Sequence, residues 1–161
     1  MPHLAQRLAG TILIVIASCA SPAQSSSSPV LDWHAHWITA PGLPPFAPGV
    51  MHLQRTIDLP AKPEHYIVRV SADNAFLLHV NGETAGRGPA KGDLAHWRFE
   101  TIDLAPFLHS GSNLLAATVW NYGEYRSAAQ ISNRTAFLLE GPTPETEAAN
   151  TNQSWQTEID H

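Results

Sequence analysis

The stretch Leu77–Pro89, LLHVNGETAGRGP, decides the fold. An apolar run enters Asn81-Gly82, and a polar, glycine-rich run leaves it. Both central residues of a type I′ turn need positive φ, which Asn and Gly tolerate best, so the dipeptide predicts a tight β-hairpin. On either side the chain keeps the same habit. LDWHAHWITA alternates, with Trp33, Ala35 and Trp37 one way and His34 and His36 the other, and reads as a strand. MHLQRTIDL, ended by Pro60, and HYIVRVSA, rich in β-branched residues, read as strands too. PGLPPFAPGV between the first two is a proline-rich loop.

Beyond the hairpin, AHWRFETIDL predicts a further strand. Asp103 is placed to cap one helical turn in LAPFLHSG, and Gly111 to let the chain reverse after it. NLLAATVWN reads as a long strand, buried on both faces or at the centre of the sandwich. YGEYRSAAQISNR is a loop and TAFLLEG a last strand. About seven short strands with turn signals between them predict an all-β domain, a β-sandwich or jelly roll.

The domain occupies residues 31–141 in this reading. Residues 1–18 resemble a lipoprotein-type signal peptide: Arg7, then the apolar core Leu8–Ser18, too short for a membrane span. Ile16-Ala17-Ser18-Cys19 resembles a lipobox, which would lipidate Cys19; the alternatives are ordinary cleavage after Ser21-Pro22-Ala23 and a cytoplasmic chain with an apolar start. Residues 19–30 form a Ser/Pro tether. The chain is thus expected to be exported to the periplasm or cell surface, touching membrane only through a lipid anchor. Residues 142–161 are polar apart from Trp155, and as an isolated end are expected to be disordered.

A net charge of −5 without a basic stripe argues against nucleic acid as a partner. The one cysteine excludes an internal disulfide.

In their order, WHAHWITA, MHLQRTIDLP, VRVSADNAFLLHVNGETAGRGP and ETIDLAPFLHSGSNLLAATVWNYGE resemble the N-terminal β-sandwich domain of bacterial α-L-rhamnosidases, over roughly residues 33–140. Related jelly-roll domains occur in other large glycosidases. The strongest pieces are the Asn81-Gly82 hairpin and the T-x-D-L…L-x-x-G-x-N stretch, Thr101 to Asn113. Asn81, Gly82, Asp103, Gly111 and Asn113 all have scaffold roles on physical grounds. The resemblance implies that catalysis belongs to an α/α barrel far downstream and that residues 142–161 begin a further, truncated domain. It therefore implies a non-catalytic accessory domain that holds rhamnose-containing carbohydrate; the alternative is a structural module that docks on the missing catalytic domain and has no ligand.

Glycoside hydrolysis generally needs two carboxyl groups across the scissile bond. Asp58, Asp73, Glu83, Asp93 and Glu124 stand in no such motif, so no catalytic residue is expected. His34 and His36 share a strand face, but no third metal ligand accompanies them. Sugars stack on aromatic rings and bond to amides and carboxylates. The carbohydrate-binding candidates are Asp73, Asn74, Asn121, Tyr122 and Tyr125, in two loops at the edge of the sandwich, and Trp97 on a strand, for which a core role is the alternative; Trp120 reads as core. No organic cofactor is expected. Some rhamnose-binding modules of similar architecture use calcium, for which the oxygens of Asp73 and Asn74 would serve.

Overall fold

The computed structural model describes residues 31–160, and everything below refers to these. The expected signal peptide, Cys19 and the expected Ser/Pro tether lie outside the described residues. Eight strands form two antiparallel sheets. The first holds β4 (Glu83–Gly88), β3 (Ala75–Val80), β6 (Gly111–Asn121), β1 (Gly49–Leu59) and β8 (Gln156–Ile159), in that order. The second holds β5 (Glu100–Asp103), β2 (Ile67–Ala72) and β7 (Phe137–Glu140). The all-β sandwich read from the sequence is the fold observed.

The hairpin is formed as expected. Asn81 and Gly82 take φ of 52° and 85°, and β3 and β4 pair on either side of them. The Asn81 side chain also ties the turn to its surroundings: Nδ2 donates to Phe107 O and Asn113 Oδ1, and Oδ1 accepts from Leu114 N–H. Asn113 Nδ2 donates to the carbonyls of His109 and Gly111, closing the reversal that leads into β6. Asp103 Oδ1 accepts from Ala105 N–H at the start of a single 3₁₀ turn, Ala105–Phe107, and from Tyr66 N–H.

The period-two pattern of the strands builds the core. Met51, Leu53 and Ile57 of β1, Phe76, Leu78 and Val80 of β3, and Leu115, Ala117 and Val119 of β6 point inward from the larger sheet. Val68 and Val70 of β2 and Phe137 and Leu139 of β7 meet them. At roughly 25 cal/mol per Å² of apolar surface removed from water, this interleaving is the main term favouring the fold. β6 lies between β3 and β1, at the centre of its sheet, but it alternates rather than burying both faces.

Three expectations are corrected. Residues 31–37 form no strand, and of the stretch expected to be one only Ile38 makes a bridge, to Phe137 of β7. Their backbone groups go elsewhere: His34 N–H donates to Glu140 Oε1, and His36 N–H donates to Thr151 O. The strand expected from Ala95 begins only at Glu100, because Asp93 Oδ1 accepts the N–H groups of Ala95 and His96 and holds them in a turn. The polar end, expected to be disordered, is ordered through residue 160. Thr143–Asn150 makes two tight turns, Trp155 is 5% exposed in the core, and β8 adds an antiparallel strand to β1.

Candidate functional site

Asp73 and Asn74 are the only residues between β2 and β3, which lie in different sheets. They make the crossing at one end of the sandwich, with Asn74 at φ 70°. β3 pairs with β6, and Ala75 stands opposite Trp120. The loop after β6 therefore reaches the same end, as the sequence reading requires for both loops to contribute to one site.

Side-chain hydrogen bonds knot these loops together. Asp73 is 1% exposed. Its Oδ2 accepts from the N–H groups of Asn133 and Arg134 and from Ser132 Oγ, and its Oδ1 accepts from Asn74 Nδ2. Asn74 Oδ1 accepts from Tyr122 N–H. Asn121 is buried, donating from Nδ2 to Ser132 Oγ and Thr135 Oγ1 and accepting Gly123 N–H at Oδ1. Asp73, Asn74 and Asn121 thus have their polar atoms committed to the loop framework. A cation at Asp73 would have to displace donors already in place. Among the described residues, no group of three or more His, Cys, Asp and Glu side chains comes together that could hold a metal ion.

The aromatic candidates divide. Trp97 is half-buried beside a shallow cleft of ≈ 330 Å³, which it lines with Trp37, Asp73, Asn133, Arg134 and Ala136. The rings of Trp37 and Trp97 stand edge to face, centroids 6.1 Å apart and planes at 82°. Trp37 is 47% exposed. The two indoles make an apolar corner, and Asn133 and Arg134 supply polar groups beside it. Tyr122 and Tyr125 are exposed on the neighbouring loop, outside the lining of this cleft. Tyr122 OH accepts from Trp120 Nε1, which keeps that half-buried ring on the sheet.

Sequence reasoning missed Trp37, Asn133 and Arg134. The alternation of residues 33–37 places Trp37 on the same side as buried Ala35, whereas the segment is not a strand and the ring turns out to solvent. Asn133 and Arg134 sit in a loop without periodicity, and only the Asp73 carboxylate, sixty residues away in sequence, fixes their position.

The chain is 32% identical over 105 residues to the α-L-rhamnosidase of Streptomyces avermitilis, a match covering 63% of this chain and 10% of that protein. The solved GH78 family rhamnosidase of Bacillus sp. GL1 superposes with a TM-score of 0.73 at 25% identity, over 81% of this chain and 14% of its own. The sandwich is similar to a region of bacterial α-L-rhamnosidases. The α-L-rhamnosidase of Dictyoglomus thermophilum shares the fold, with a TM-score of 0.54 at 15% identity, over 80% of this chain and 16% of its own. No protein-family model matches the chain. The chain spans about a tenth of the length of the curated rhamnosidase it matches.

Proposed function

We propose that this chain is a non-catalytic accessory domain of an α-L-rhamnosidase-like glycoside hydrolase, and that its loop end holds carbohydrate. The observation that carries the binding reading is the Trp37–Trp97 corner, an exposed and a half-buried indole standing nearly perpendicular, with Asn133 and Arg134 beside them in the lining of one cleft. A pyranose stacks its C–H face on one indole and abuts the other, while Asn133 and Arg134 take its hydroxyls. Asp73 holds the loop that presents them. The chemistry of hydrolysis belongs to the parent protein. Two of the three carboxylates at this end are engaged: Asp73 is saturated with donors, and Asp93 is tied to His96, Oδ2 to Nδ1, at 2.9 Å. Export with a lipid on Cys19 completes the proposal, and loss of detergent partitioning in Cys19→Ala tests it.

A shallow site of this kind binds at roughly millimolar to tens of micromolar, about −4 to −6 kcal/mol. Titration of the protein with L-rhamnose and rhamnosides, followed by backbone amide resonances, tests the reading. Shifts confined to residues around Trp37, Trp97 and Asn133 support it. Unmoved spectra across a panel of sugars would leave a structural module that docks on a neighbouring domain.

A further inference from the structure

We propose that the cleft takes an acidic sugar: a hexuronic acid unit whose ring lies in the Trp37–Trp97 corner and whose carboxylate meets the Arg134 guanidinium. This rests on the carbohydrate-binding reading above and names the class of sugar. Three observations carry it.

Arg134 is an exposed residue lining the cleft, and among the described residues its guanidinium has no hydrogen bond or ion pair; only its backbone N–H is engaged, by Asp73. The acid under the cleft is already spent. Asp73 accepts from four protein donors and is 1% exposed, so it neither pairs with the guanidinium nor offers an oxygen to a sugar hydroxyl. An unpaired guanidinium beside aromatic rings suits a carboxylate, which it binds in a two-pronged geometry that a neutral hydroxyl cannot match.

The third observation is the charge around Trp97. A small recess against the same indole is lined by Lys91 and Arg98. The loops at this end, residues 73–74, 89–98 and 121–136, carry four of the chain's nine Lys and Arg but only three of its fourteen Asp and Glu. In a chain of net charge −5, these loops carry a net charge of +1. Such an arrangement draws in anions and repels little that is neutral.

The test titrates the full chain with digalacturonate, L-rhamnose and sodium acetate, reading amide shifts and affinity at low salt and at about 0.5 M salt. Arg134→Gln and Arg134→Lys are compared with the unaltered protein, and their melting temperatures are measured to show that the exposed substitution leaves the fold intact. The expected result is digalacturonate binding roughly fivefold or more tighter than rhamnose, an advantage lost in Arg134→Gln, partly kept in Arg134→Lys and reduced by salt. If rhamnose binds as well as digalacturonate and Arg134→Gln changes neither, the acidic-sugar inference fails while carbohydrate binding stands. If acetate reproduces the digalacturonate shifts at the same concentration, the patch is a general anion site and the inference fails. If no sugar moves any resonance, both readings fall together.

Discussion

Arg69 on β2 stands directly opposite Glu140 on β7, with Nη1 3.3 Å from Oε2. The Glu140 side chain is fully buried while that of Arg69 is 24% exposed. The pair faces away from the core, since their neighbours Val70 and Leu139 fill it. It is roofed by the N-terminal segment: the Trp33 ring lies over the guanidinium, 5.9 Å from its centroid, and His34 N–H donates to Glu140 Oε1. The segment is held on the smaller sheet by these contacts and by the bridge that Ile38 makes with Phe137 of β7.

Removing one partner leaves the other uncompensated. Arg69→Met strands a buried carboxylate and should cost about 3–5 kcal/mol in urea unfolding. Replacing both, in Arg69→Met with Glu140→Leu, should recover most of that loss, because two apolar side chains need no partner. A double variant as unstable as the single one would show that the pair's value lies in the His34 contact instead.

The polar end should behave as part of the core. Trp155 packs edge-on against Phe137, centroids 5.8 Å apart, and donates from Nε1 to Asn150 O. Arg55 of β1 reaches the same segment, donating to Asn150 O and Asn152 Oδ1. Trp155→Ala should therefore cost about 3–5 kcal/mol. A chain ended after Gly141 should fail to fold cooperatively in calorimetry. A sharp transition near that of the full chain would show that the end is dispensable.

These two features also mark where the sequence is legible. Asn81-Gly82, Asp103, Gly111 and Asn113 were readable because each acts on backbone within a few residues or demands a particular φ. The central strand β6 was readable from its length and apolar content. β8 was not: Gln156–Ile159 is polar on its outer face, and it becomes a strand only by pairing with β1, about a hundred residues earlier. The site divides in the same way. The convergence of the loops at Asp73 and Asn121 followed from strand ends, while Trp97 was offered only as an available aromatic and lies before the strand it was read into. Trp37, Asn133 and Arg134 depended on contacts between segments far apart in the chain.

Tyr66 supplies a pH prediction. Burial pushes its hydroxyl pKa from 10.0 up to about 12, against the opposing pull of the Arg55 charge. The OH donates to Thr146 O at 3.2 Å. A raised folded-state pKa means that the folded chain holds its proton more tightly than the unfolded one. This contribution is complete below pH 10 and is lost as pH rises through about 12. Stability should fall across that window, and Tyr66→Phe should flatten the fall while giving up the hydrogen bond. Unfolding followed through tyrosinate absorbance checks it; an unchanged alkaline slope in Tyr66→Phe would assign the loss to other groups.

The last prediction concerns Asp73, which the sequence offered as a sugar or calcium ligand and the structure ties into the loop framework. Its carboxylate gathers the backbone of Asn133 and Arg134, the Ser132 hydroxyl and the Asn74 amide into one knot. Asp73→Ala leaves four donors without their acceptor, of which those on the exposed residues Asn133 and Arg134 can turn to water. The net cost should be about 3 kcal/mol, the range for hydrogen bonds to a charged group. Asp73→Asn keeps the shape but brings an amide N–H₂ where an acceptor is needed, so it should rescue little. Because Asn133 and Arg134 border the Trp37–Trp97 cleft, either variant should also weaken sugar binding without the side chain touching the sugar. Chelation separates this role from metal binding: a carboxylate saturated by protein donors predicts the same melting temperature with and without a chelator, and no gain on adding calcium. A calcium-dependent rise in melting temperature that vanishes in Asp73→Asn would show that the cation displaces those donors and that Asp73 is a ligand after all.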